Sequence, residues 1–266
     1  MHTQRTLPRL SFGPGAALQG VRTLPEEVAV AMSYNGSTLA VMMATPGDLV
    51  DFAYGFSLTE GIATPDQIET VDCVETSNGI DVQMWVSADA AARLAKRRRT
   101  MAGPVGCGLC GIDSLEEAMR KMLPIPEQSF TMTPTQVMRA VGALPGAQPL
   151  HDATRAVHAA GFWTDHLLAT REDVGRHNAL DKLAGHLIRQ TPLSGAVLLT
   201  SRVSIDMVQK VAALGAPMLI AVSAPTAHAV TLAHSAGITL IALARPDRFE
   251  VFTHPDRIST ETANAA

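Results

Sequence analysis

Three short apolar segments recur between residues 193 and 245: LSGAVLLTS (193–201), APMLIAVSAP (216–225) and GITLIALAR (237–245). Each is bounded by Gly or Pro, and helix-length stretches, Ser204–Leu214 and Thr226–Ser235, separate them. Continuous apolar runs of this length predict strands buried on both faces, and helices between successive strands predict parallel β-α-β units. The fold class is therefore α/β, with a three-layer α/β/α domain expected over 130–266.

Upstream, MLPIPEQSFTMTP (122–134) is rich in breakers and has no period, which marks a domain boundary. A smaller α+β domain is expected over 1–122. EVAVAMSY and STLAVMMA flank Asn35-Gly36, a turn pair that tolerates positive φ, and predict a hairpin. VDCVETS and IDVQMWVS predict a second hairpin at Asn78-Gly79. In TPGDLVDFAYGFSLTEG (45–61), Thr45 reads as a helix N-cap, Pro46 as the first helical residue and Asp48 as the answering side chain. A further helix runs from Ser87 to about Arg99, closing on Lys96-Arg97-Arg98-Arg99.

Composition excludes several classes. With 47% hydrophobic and 17% charged residues, the chain is globular and not disordered. A net charge of −4 gives no case for nucleic-acid binding. No apolar run reaches the ~20 residues that span a bilayer, and the N-terminus lacks the apolar core of a signal peptide, so no membrane partner and a cytoplasmic location are expected. Three cysteines, Cys73, Cys107 and Cys110, do not make a disulfide framework.

Two of those cysteines lie in GPVGCGLCGIDSLEEA (103–118), where a short helix from Asp113 follows, with Glu116 completing a capping box. A Cys-x-x-Cys pair can hold zinc, cycle as a disulfide, or present a nucleophilic sulfur. A structural zinc usually takes four protein ligands, and no second paired motif is present. A thioredoxin-like couple follows a strand directly, whereas this loop follows a basic helix and Gly103-Pro104. Lys96–Arg99, eight residues upstream of Cys107, favour thiolate, the reactive form, although a basic run at a helix end also simply complements the dipole.

LLATREDVGRHNALDKLAGHL (167–187) reads as one amphipathic helix with Leu180, Leu183, Ala184 and Leu187 as its apolar stripe. Glu172 and Asp173 are placed at its start, and Asp173, His177 and Asp181 on one face. Arg176, His177 and Asn178 near a helix N-terminus suit an anionic or purine-like group, and ordinary capping and i,i+4 pairing is the plainer alternative. The loops leaving the three apolar strands carry Ser201-Arg202, Ser223 with Thr226, and Arg245 to Arg248. Ligands of open α/β sheets bind at such strand ends, and hydroxyls, arginines and helix N-termini there suit phosphates. His158 stands where it could face that pocket or pack in the core; His151, His228, His234 and His254 carry no signal. No Walker loop or G-x-G-x-x-G is present.

At these residues the sequence resembles the FdhD family of sulfurtransferases that mature formate dehydrogenase. The likeness rests on ATPGDLVDFAYGFSLTEG, GCGLCG, REDVGRHNALDK, TSRVSIDMVQKVAALGAPMLIAVSAPTAHAV and ARPDRFEVFTHPDR. It implies a sulfur relay. A cysteine desulfurase supplies sulfur, a persulfide forms on Cys107 with Cys110 assisting, and the sulfur passes to the Mo-bis(molybdopterin guanine dinucleotide) cofactor before insertion into apo-formate dehydrogenase. It further implies cofactor binding by Leu243, Ala244, Arg245, Pro246, Asp247 and Arg248, a homodimer, and a C-terminal domain like cytidine deaminase. The deaminase zinc signature is absent, so no resident metal is expected, and Leu243 stands where the family pattern leads one to expect an aromatic residue. A chaperone that carries the finished cofactor is the alternative reading.

Overall fold

Hairpins and buried parallel strands form separate sheets here because their turns and periods differ. A computed structural model describes residues 1–15, 17–100, 124–126, 129–190 and 194–259, with backbone alone for 96–100. β1 (Gln4–Ser11) and β2 (Leu18–Pro25) form a two-stranded antiparallel ribbon. β3 (Val28–Tyr34), β4 (Ser37–Ala44), β5 (Ile68–Thr76) and β6 (Gly79–Val86) form a four-stranded sheet in the order β4-β3-β6-β5. Its two hairpins match the sequence expectation, with Asn35 and Gly36 at φ 48° and 77° in the first turn. They join through a parallel β3–β6 pairing. Helix α1 (Leu49–Thr59) and helix α2 (Ala88–Thr100) supply the rest of this unit. Its core comprises Val30, Met32, Tyr34, Val82 and Met84 from the strands with Phe52 and Phe56 from α1.

The second sheet has six strands: β7 (His158–Trp163), β8 (Leu167–Asp173), β9 (Ala196–Leu199), β10 (Met218–Ala221), β11 (Thr239–Arg245) and β12 (Arg248–Val251), in the order β12-β11-β10-β9-β7-β8. β9, β10 and β11 are parallel, as their apolar runs predict. Helices α3 (Pro134–Ala143), α4 (Pro149–Thr154), α5 (Arg176–Ile188), α6 (Ile205–Leu214) and α7 (Ala227–Ser235) are the remaining α-helices among the described residues. Leu180 and Leu183 of α5, Met207 and Val208 of α6, and Ala229 and Ala233 of α7 pack on one face of the sheet. Val137, Ala140 and Val141 of α3 pack on the other, against Leu198, Ile220 and Ile241, which gives the three layers.

Two local expectations fail, for one reason. Leu167–Asp173 is a strand, not the start of α5, because it pairs antiparallel with β7 along its length. The helix begins at Arg176, after Gly175. Likewise Thr45 does not cap α1, which starts at Leu49 behind Asp48 at φ 54°, without a side-chain cap. Thr45 is bound instead by the other half of the chain. Its N–H donates to Asp173 Oδ2 at 3.0 Å, its Oγ1 accepts from the Val174 N–H, and its carbonyl accepts from Lys182 Nζ at 2.8 Å. Tertiary hydrogen bonds outweigh local capping.

Helices α1 and α5 cross at two glycines. A Cβ on Gly55 would overlap the Asp181 carbonyl, and one on Gly185 would overlap the Asp51 carbonyl. Backbones this close leave no room for any side chain. Gly185→Ala should therefore lower the unfolding free energy by about 3 kcal/mol or more, since overpacking in a rigid crossing is relieved only by separating the helices. Urea denaturation checks it, with Gly146→Ala, which meets nothing within 4 Å, as the control expected to cost under about 1 kcal/mol.

Candidate functional site at the strand ends

Strand directions decide where the candidate residues meet. β7 runs antiparallel to β9, and β8 antiparallel to β7, so β8 points the same way as β9, β10 and β11. The carboxyl ends of these four strands therefore share one edge. It receives Arg176, His177 and Asn178 after β8, Ser201-Arg202 after β9, Ser223 and Thr226 after β10, and Leu243 to Arg248 around the end of β11. His158, the first residue of β7, pairs with Asp173 and joins the same edge.

The side chains divide by role. Arg245 folds back, donating from Nη1 to the Val222 and Ala244 carbonyls at 2.6 and 2.8 Å. Leu243 is held at φ 51°, a left-handed conformation that a leucine adopts at a cost, beside the irregularity between Ala242 and Arg245. Its N–H donates to the Ser223 carbonyl and its side chain is exposed. Ala244 is buried in the core, away from the rim. Pro246 borders a shallow cleft of about 510 Å³ lined by Met138, Arg139 and Ala143 of α3. Asp247 and Arg248 are exposed in the turn and 3.7 Å apart. Ser201 is buried and donates to the Arg202 carbonyl, whereas Arg202 is exposed. Thr226 caps α7 by accepting from the Ala229 N–H, so its hydroxyl has the plainer of its two roles.

Arg176, His177, His158 and His151 gather at the start of α5. Burial pushes the His158 imidazole below its ordinary value, and Arg176, His151 and His177 push it the same way. Arg176 Nε is buried with no hydrogen-bond partner among the described residues. A guanidinium donor without a partner, beside a positive helix terminus, fits an anion. His177, 3.6 Å from Asp206 of α6, holds that carboxyl below its ordinary range against the effect of its partial burial. Sequence reading gave no role to Asp206 and no signal to His151; it named Ser204 only as the first residue of the helix Ser204–Leu214.

Beneath the rim lies structural chemistry. Asp173 and Lys182 form an ion pair of 2.6 Å, both side chains fully buried. Asn178 donates from Nδ2 to Asp173 Oδ1 and to the Met43 carbonyl, both at 2.9 Å, so its amide faces inward and not toward the rim. Asp173 and Asp181 do not share a pocket-facing surface with His177. Asp181 meets Lys210 at 2.9 Å and Thr59 at 2.6 Å. Burial pushes the Asp181 carboxyl up; burial alone would push the Lys210 ammonium down, but Asp181 and Glu60 outweigh it and hold it up. Glu172 caps α4 across space, accepting from the Leu150 and His151 N–H groups. Cys107 and Cys110, and the helix expected from Asp113, lie outside the described residues.

Comparison with known proteins agrees with fold and motifs. The FdhD/NarQ family model matches residues 25–259, and the chain belongs to that family. It is 52% identical over 259 residues to a protein of Agrobacterium fabrum named "Sulfur carrier protein FdhD", covering 96% of each chain. A Brucella abortus protein of the same name is 54% identical over 242 residues, covering 89% of this chain and 90% of that one. A solved structure described as a formate dehydrogenase accessory protein from Desulfotalea psychrophila has the same fold, with a TM-score of 0.78 at 24% identity, over 97% of this chain and 100% of that one. No helix among the described residues is long and apolar enough to cross a membrane.

Two outcomes are expected. Lys182→Met strands a buried carboxylate and should cost about 3–5 kcal/mol in urea denaturation, while pairing it with Asp173→Leu should recover part of the loss. The folded state disfavours protonated His158, so its contribution to stability is complete above about pH 6.5 and lost as the pH falls through the lower folded value. In His158→Gln, stability measured from pH 7.5 to 5 should fall less steeply than in the parent.

Proposed function

We propose that this chain is a sulfur carrier for the maturation of a formate dehydrogenase, with Cys107 as the residue that bears the sulfur. The observation that carries the reading is the gathering of Arg176, His177, Arg202 and Arg245 on the strand edge of a chain that also contains GCGLCG. Membership of the FdhD/NarQ family and the names of its relatives support it.

In the first step a cysteine desulfurase presents its persulfide, and the Cys107 thiolate attacks the outer sulfur. The bond from that sulfur to the desulfurase cysteine breaks, its thiolate leaves, and Cys107 holds the persulfide. No net oxidation occurs. Lys96–Arg99 upstream favour the attacking thiolate, and small glycines flanking both cysteines admit the partner's sulfur. Cys110 assists as a neighbouring thiol. The acceptor substrate is the Mo-bis(molybdopterin guanine dinucleotide) cofactor, destined for apo-formate dehydrogenase. The reading is supported by groups at the rim that suit its phosphates: Arg176 Nε, which has no partner among the described residues, the exposed Arg202, and the N-termini of α5, α6 and α7. Leu243 and Arg245 to Arg248 close the other side.

The test is direct. Incubation with a desulfurase and cysteine should add about 32 Da, one sulfur, to the parent, localised by peptide mass spectrometry to Cys107. Cys107→Ala should lose the adduct and fail to restore formate dehydrogenase activity in a deletion strain. Full restoration by a Cys107→Ala, Cys110→Ala double variant would replace this reading with a carrier of finished cofactor in which the cysteines do no chemistry.

A further inference from the structure

Helices α5 and α6 meet through two ion pairs, one turn apart. His177 and Asp181 of α5 share a helix face at i,i+4 spacing, and so do Asp206 and Lys210 of α6. The charges cross over: Asp181 meets Lys210 at 2.9 Å, and His177 Nε2 meets Asp206 Oδ2 at 3.6 Å. The inner pair is buried, and Glu60 joins it at 2.8 Å, which fixes the register of α6 against α5. The outer pair lies at the rim with both side chains more than a third exposed.

A carboxylate repels phosphate, so its place on this rim calls for a reason. An acid in the first turn of α6 suits the helix dipole, and Ser204 donates to Asp206 Oδ2 at 3.4 Å. Neither requires it to face an imidazole on another helix. The contact with His177 also settles the ring: an ionised carboxylate only accepts, so Nε2 carries the hydrogen. Nδ1 of the neutral ring then has a lone pair and cannot donate to a phosphate. With Nδ1 protonated, both nitrogens donate and the His177–Asp206 pair is neutral overall. The charged and titratable groups around the ring are Asp206 of α6 and His158 of β7, with Arg176 beside it on α5 and His151 of α4 near His158. Burial keeps His158 neutral, which leaves His177 as the ring poised to gain a proton.

We propose that Asp206 is a positioning residue for a phosphate-bearing ligand of the rim: it holds His177 through Nε2–H, and ligand binding takes up one proton from solvent at Nδ1. Without that proton the ligand meets the negative charge of Asp206; with it, the ligand meets a donor. Such a role rests on the phosphate-binding rim of the proposed function and is independent of which cysteine bears the sulfur. Imidazole ordinarily titrates between about pH 5 and 8, so ligand affinity follows pH in that range.

Isothermal titration calorimetry of the full chain with GDP-mannose tests it, because the phosphates of a diphosphate diester do not titrate in this range. In the parent the dissociation constant should fall about tenfold from about pH 8 to pH 6, the effect of one charge contact on one titrating group. Buffers of different ionisation enthalpy should report proton uptake on binding. His177→Gln should lose both the pH dependence and the uptake. Asp206→Asn should shrink the change to under about threefold over the same range, and Asp206→Glu should restore it. A merely structural role for Asp206 would weaken binding alike at every pH and leave the slope intact. Absence of binding by the parent at every pH would overturn the phosphate role of the rim and the role of Asp206 with it. Parental binding without a slope, a slope that survives in Asp206→Asn, or one lost in His158→Gln instead of His177→Gln would overturn the role of Asp206 alone.

Discussion

The close approach of α1 and α5 at Gly55 and Gly185 is the constraint on which the rest of the molecule depends. With no Cβ at either position, two backbones come near enough for polar groups of one half to be solvated by the other. Asp173 and Lys182 can then be buried outright, because the Thr45 backbone supplies both a donor and an acceptor to the pair. Lys210 can be buried because Glu60 and Thr59 of the first half join Asp181. A third cluster closes the crossing at its other end, where Asp51 accepts from Arg171 and Arg189. Such pairs add little net stability over apolar packing, but each is satisfied in one arrangement of the halves only.

That arrangement orients the rim. α5 is held from beneath by Asn178, Lys182 and Gly185, while Arg176 and His177, its first two residues, stay at its free end. The same helix thus joins the two halves along its length and offers cations at its start. Buried charge is balanced within the crossing, whereas at the strand edge the Arg176 guanidinium stands beside a His158 imidazole that burial keeps in its neutral form, and Asp206 meets His177.

How far the sequence can be read follows from which interactions are local. β9, β10 and β11 are legible because four consecutive apolar residues flanked by Gly or Pro have few other ways to be buried. The hairpins are legible because Asn35-Gly36 and Asn78-Gly79 carry their turn geometry within two residues. β8 is not, since LLATRED lacks strand alternation and is extended only by its pairing with β7. The rim was found because strand ends are fixed once the strands are; the inward amide of Asn178 was not, because its partner Met43 lies 135 residues away. Gly185 left no trace in the helical period, as a glycine at a crossing looks like any weak helix former until its neighbour is known.

Thr45 lies in the connection between β4 and α1, outside any regular element, yet its amide hydrogen points to a fully buried carboxylate. Solvent reaches that hydrogen only when the two halves part. Its exchange lifetime therefore reports the opening of the whole crossing, and a loop amide becomes the slow clock of the molecule while many strand amides at the sheet edges exchange by local fraying.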